Sequence, residues 1–260
     1  MLEASCVSSP GLTGRSLFLA SVRSEAEAEI ALGARADIID VKDPDRGALG
    51  ALDPDTTRAI LAAVAGHAPV SATIGDLPMQ PSAIRNAVLE RAALGVDYVK
   101  IGLFPGGDPG GCLDGLRPVA RSIRLVVVLF ADRPLAFDAV AAAAQMGAAG
   151  IMLDTASKGA GSLLGHLDLR AITRFVTDAR AQGLIVGLAG SLTGAEVPEL
   201  LQLRPDLLGF RGALCHGSRN AALDPLACAV IRALIPEAGL APIPRPEAEL
   251  PEAAAAEALC

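Results

Sequence analysis

Lys42, Lys100 and Lys158 are the only lysines in the chain; the remainder of its 22 basic residues are arginines. A guanidinium stays protonated, whereas a primary amine can lose its proton and attack a carbonyl carbon. Keeping an amine at three positions only, in an Ala-, Gly- and Arg-rich chain, points to carbonyl chemistry through an imine. Carboxylates lie close by along the chain: Asp40 two residues before Lys42, and Asp154 four before Lys158. Such groups can move protons between the steps of imine formation and hydrolysis. Amines crowded near one another and partly desolvated would favour the neutral, attacking form.

These residues act together only if the fold brings them to one place. Short β-rich segments at 17–22, 37–42, 70–74, 98–101, 125–130, 150–154, 184–189 and 207–211 alternate with Ala/Leu-rich helical segments. Eight such repeats match a (β/α)₈ TIM barrel, an α/β fold of about 250 residues. A doubly wound open sheet is the alternative, although no Gly-x-Gly-x-x-Gly follows the first strand. Strand parity sends Ile39 and Val41 outward and Asp40 and Lys42 inward. It treats Val99 and Ile101 against Lys100, and Ile151 and Leu153 against Asp154, in the same way. All of these inward groups, with Lys158 in the loop just beyond, fall at the carboxyl end of the predicted barrel, where barrel enzymes carry their chemistry. A lysine at a strand end can also be a snorkelling surface residue or half of a structural ion pair.

The last two strands end in Leu188-Ala189-Gly190-Ser191 and Gly209-Phe210-Arg211-Gly212. Small residues there expose backbone N–H groups, and the loops after strands seven and eight of these barrels often hold a phosphate. Gly190, Ser191, Arg211 and Gly212 are therefore the expected phosphate-binding residues, with Arg211 as a bidentate partner. Glycine at a loop start is also ordinary turn chemistry. The Gly-rich segment 105–111 lacks the Lys-Ser/Thr of a nucleotide-binding loop and reads as a flexible lid or insert over the barrel mouth. Cys215 follows the Arg211 loop and reads as a buried spectator thiol.

The net charge of −7 and the absence of Lys/Arg runs argue against nucleic acid as a partner. Apolar runs such as 125–131 are shorter than the ~18 residues of a membrane helix, and residues 1–15 do not read as a secretion signal. Five scattered Cys do not form a disulfide framework, and His67, His166 and His216 lack ligand spacing, so no metal is expected. The expectation is a cytoplasmic protein with a leader at 1–15, a catalytic barrel at 16–235 and a mobile Pro/Ala/Glu-rich tail at 236–260.

The segments IIDVKDP (38–44), SATIGD (71–76), DYVKIGL (97–103), MLDTASK (152–158), LAGSL (188–192) and GFRGALC (209–215) resemble, in order, the (5-formylfuran-3-yl)methyl phosphate synthase family of methanofuran biosynthesis. The resemblance covers roughly residues 16–235 and leaves the leader and tail outside. It implies a (β/α)₈ barrel, similar to class I aldolases, that joins two glyceraldehyde 3-phosphate molecules into a phosphorylated furan aldehyde. It further implies Lys42 as the Schiff-base lysine, with Asp40, Lys100, Asp154 and Lys158 as acids and bases. The composition is similar to that of the bacterial, methylotrophic branch of the family. An imine does the carbonyl activation a metal would otherwise do and no redox change occurs, so no cofactor is expected. The expected partners are phosphorylated trioses, with self-association left open. A class I aldolase or phosphosugar isomerase on the same barrel, or a non-catalytic phosphosugar-binding barrel, are the competing functions.

Overall fold

The computed structural model describes residues 15–157 and 159–236. Lys158 lies outside the described residues, as does the expected leader except for Arg15 and the expected tail except for Pro236. Eight parallel strands, β1 (Leu17–Val22), β2 (Ile38–Val41), β3 (Val70–Thr73), β4 (Tyr98–Gly102), β5 (Leu125–Phe130), β6 (Gly150–Asp154), β7 (Ile185–Leu188) and β8 (Leu207–Phe210), form a barrel in sequence order. Closure rests on β8 pairing back onto β1, with Leu19 opposite Gly209, which excludes the open sheet. Around it lie α1 (Glu25–Gly33), α2 (Pro54–Val64), α3 (Pro81–Ala92), α4 (Pro109–Leu116), α5 (Ala139–Met146), α6 (Leu163–His166), α7 (Leu169–Ala181), α8 (Val197–Gln202) and α9 (Pro225–Leu234). No helix among the described residues is long and apolar enough to cross a membrane.

Local chemistry starts most of these helices. Asp53, Asp138, Asp168 and Asp224 each accept a backbone N–H in the first turn of α2, α5, α7 and α9. Each such cap contributes about 1 kcal/mol. The same device corrects the expectation of a lid at 105–111. Asp108 caps α4 through Gly111 N at 2.8 Å, Pro109 takes its first turn, and Asp108 N donates to Met79 O at 2.8 Å. The segment is thereby tied to the loop after β3, and from Pro109 onward it is helix.

The barrel has two apolar shells. Ile39, Val41, Val99, Ile101, Ile151 and Leu153 pack outward with the helices, while Leu19, Ile38, Met152 and Leu207 fill the interior. A Cβ at Gly187 would come within 2.6 Å of Met152 Cγ, so the glycine makes room for that interior side chain. Three aspartates stand just before strands at the amino end. Asp37, Asp97 and Asp206 accept the backbone N–H groups of Phe18, Val70 and Val186 and pair with Arg232, Arg124 and Arg180. This rim stabilises the barrel and leaves the opposite end free for chemistry.

Candidate active site

Asp40 is the centre of a buried polar cluster. It is fully enclosed, and its Oδ1 accepts Ser71 Oγ at 2.6 Å and Lys100 Nζ at 3.1 Å, while Oδ2 accepts Ser21 Oγ at 2.9 Å. The three donors sit on β3, β4 and β1, all facing inward. Burial alone would raise the carboxyl pKa. The charges of Lys100 and Lys42, with the Ser71 hydrogen bond, outweigh it and hold the group below the usual carboxylate range.

Lys42 stands one residue past β2, and its backbone N–H still donates to Val22 O at 3.0 Å, which keeps its strand parity. Its Nζ lies 3.6 Å from Asp154 Oδ2 at the end of β6. Asp154 Oδ1 accepts the N–H of Thr155 at 2.7 Å, which fixes the carboxylate at the barrel rim. Two ammonium-type groups and two carboxylates therefore alternate across the mouth, Lys100 with Asp40 and Lys42 with Asp154. The structure brings together four of the five expected catalytic residues; the fifth, Lys158, lies outside the described residues.

A cavity of about 270 Å³ opens above this cluster. Lys42, Lys100 and Asp154 line it together with Gly190–Thr193 and Gly212–Ala213. Gly190 has φ +102°, and a Cβ there would lie 3.0 Å from Thr155 N, so only glycine lets the β6 and β7 ends approach. Ser191 follows at φ +51°, also left-handed. Among the described residues, no side-chain cap hydrogen bond closes the 3₁₀ turn at Gly212–Leu214. The amines and the expected anion-binding backbone thus share one cavity.

Arg211 corrects the sequence reading. It borders the cavity, but all five of its N–H donors are engaged. Nη1 and Nη2 form a buried bidentate pair with Glu27 of α1, and the rest go to the carbonyls of Ser21, Arg219 and Ala221. No fork is left for a phosphate, because the loop after β8 uses it to tie itself to α1 and β1. Cys215, its thiol pKa raised by burial, does not line the cavity.

Sequence reading missed the carboxylates that order the loops. Asp76 accepts Ala48 N and Leu49 N at 2.7 Å each, seating the loop after β2 and its fully buried Leu49 on the barrel mouth. Asp132 accepts Ala156 N and Ser157 N at 2.7 Å each, clamping the loop just before Lys158. Burial opposes the Asp132 charge, but these N–H groups push its pKa down to about 2. Asp76 closes the SATIGD segment, the one sequence signal that could have drawn attention to it. Among the described residues, no group of three or more His, Cys, Asp and Glu is arranged to hold a metal.

Residues 18–232 match the 4-HFC-P synthase family profile. The chain belongs to the 4-HFC-P synthase family. A relative in Methylorubrum extorquens is 44% identical over 82% of this chain and 88% of its own length. The (5-formylfuran-3-yl)methyl phosphate synthase of Methanopyrus kandleri is 38% identical over 79% of this chain and 92% of its own, and that of Methanosarcina mazei 35% identical over 80% and 93%. Solved barrels are similar at the level of fold. Phosphoribosyl anthranilate isomerase of Thermus thermophilus superposes with a TM-score of 0.59 at 19% identity, covering 84% of this chain and 98% of that one. 3-Hexulose-6-phosphate synthase of Salmonella typhimurium gives 0.57 at 16% identity, covering 84% and 97%. Family membership thus accompanies a site in which Lys42, Lys100 and Asp154 line one cavity, with Asp40 buried against Lys100.

Proposed function

We propose that this protein condenses two molecules of glyceraldehyde 3-phosphate into (5-formylfuran-3-yl)methyl phosphate, a furan precursor for methanofuran, through an imine on Lys42. The observation that carries this reading is the 3.6 Å approach of Lys42 Nζ to Asp154 in a cavity that Lys100 also lines, with Asp40 buried against Lys100.

Lys42 Nζ adds to a triose carbonyl, and loss of water gives the imine. The imine draws electrons from the adjacent carbon, whose proton leaves to a nearby base and yields an enamine. The enamine carbon attacks the carbonyl of the second triose, forming the new carbon–carbon bond. Expulsion of one phosphate, ring closure, loss of water and hydrolysis of the imine return the free amine. Over the whole sequence, two trioses lose one phosphate and two waters. No electron is gained or lost, and aromaticity makes the last steps irreversible. Asp154 is the acid–base partner of Lys42 in carbinolamine collapse, and Lys100 with Asp40 protonates oxygen leaving or developing charge on the far side. Lys158 belongs to the same set.

Incubating the protein with glyceraldehyde 3-phosphate alone, followed by mass spectrometry and ultraviolet absorbance, tests the reading. A conjugated furan aldehyde phosphate with release of inorganic phosphate is expected. Recovery of dihydroxyacetone phosphate or a hexose bisphosphate alone would instead mark an isomerase or a simple aldolase. Tight binding without turnover would mark a binding protein.

A further inference from the structure

The loop after β8 carries two arginines with opposite surroundings. Arg211 is buried and fully bonded to the protein, as described above. Arg219 gives its backbone carbonyl to Arg211 Nε at 2.9 Å, and the Cys215–Leu223 bridge closes the loop around it. With its backbone held this way, Arg219 lines the cavity shared by Lys42, Asp154, Gly190 and Gly212. Its side chain is half-buried and, among the described residues, makes no hydrogen bond or ion pair with the protein. Gly212 leaves room beside it, since even a Cβ there would stay 3.7 Å from Arg219 Cβ.

Withdrawing a guanidinium partly from water costs free energy that a bound anion would offset. Burial and the neighbouring Arg211 disfavour the charge on this cation, which a bound anion would offset; Asp154 and Asp45 offset part of it already. The planar fork matches the two oxygens of a phosphate monoester, and the uncapped turn at Gly212 and the left-handed pair Gly190–Ser191 border the same space.

We propose that Arg219 is the specificity-determining cation that grips a substrate phosphate in this cavity, while Arg211 and Glu27 are positioning residues that hold its loop. The naming of that phosphate as a triose phosphate rests on the proposed function; the anion subsite does not.

Inorganic phosphate is titrated calorimetrically into the full-length wild type, Arg219→Gln and Arg219→Lys. Steady-state kinetics with glyceraldehyde 3-phosphate and borohydride trapping with unphosphorylated glyceraldehyde are run in parallel. Arg219→Gln is expected to weaken phosphate binding and raise KM by about ten- to a hundredfold, as for loss of a charge-assisted bidentate contact. Trapping of glyceraldehyde on Lys42 is expected to be unchanged, and Arg219→Lys to recover part of the loss. Absence of phosphate binding by the wild type, equal binding by wild type and Arg219→Gln, or an equal loss of glyceraldehyde trapping would each overturn the assignment. Phosphate binding that depends on Arg219 in a protein that makes no furan would uphold the subsite and defeat the proposed reaction. Furan formation with KM and phosphate binding unmoved by Arg219→Gln would do the reverse.

Discussion

Asp40 and Lys100 meet across β3 with Oδ1 and Nζ 3.1 Å apart, and Asp40 is fully buried while Lys100 is 4% exposed. Two opposite charges in such a place stabilise the fold only while both are present, because removal of one leaves the other uncompensated. Asp40→Leu should therefore be destabilised by about 3–5 kcal/mol. Asp40→Asn, which keeps polar contacts to Ser21 and Ser71, should fold better and still lose turnover. The pH dependence follows from the lowered pKa of Asp40. Its contribution is present above the ordinary carboxylate value of 3.8 and is lost as pH falls below that toward the folded value. Urea midpoints of wild type and Asp40→Asn should converge as pH drops below about 4; a constant gap between them would contradict this.

Lys42→Arg keeps the positive charge beside Asp154 but removes a nucleophile. It should melt within a few degrees of the wild type and lose turnover by orders of magnitude. Borohydride reduction in the presence of glyceraldehyde 3-phosphate should mark the Lys42 peptide in the wild type. A tag found only on Lys100 would move the imine to β4.

Asp132→Ala releases the N–H groups of Ala156 and Ser157 together. The loop that leads to Lys158 should then exchange its amide hydrogens faster, and kcat should fall about tenfold or more with Tm lowered by a few degrees at most. In the wild type the clamp is charged through neutral pH. Its contribution should fade only as pH falls from about 4 toward its pKa of about 2. Unchanged exchange at these two amides would show that the loop is held by other means.

Two glycines at the cavity should respond oppositely to alanine. Gly190→Ala places a Cβ at 3.0 Å from Thr155 in a left-handed backbone, and should cost about 1–3 kcal/mol and raise KM. Gly212→Ala meets its nearest atom at 3.7 Å, an ordinary contact, and should be tolerated in stability. Thermal melts of the two variants side by side check the contrast.

Inward and outward faces were legible in the sequence because strand alternation is a local property. Ile39 and Val41 against Asp40 and Lys42, and Val99 and Ile101 against Lys100, needed only a period of two. The eight repeats are local in the same sense. Barrel closure, by contrast, depends on register accumulated around eight strands, and so does the identity of each charge partner. Asp40 stands two residues from Lys42 in sequence, yet Lys42 has Asp154 at 3.6 Å and Asp40 has Lys100 at 3.1 Å. Parity also says nothing about loops. Arg211 and Arg219 lie in one loop, and strand-end position singles out only Arg211 as a phosphate partner in the sequence. Burial of Glu27 on α1 commits the first to the protein and leaves the second facing the cavity. A side chain's type and spacing set what chemistry it can do; which partner it meets follows from contacts between residues far apart in the chain, and only the folded barrel decides those.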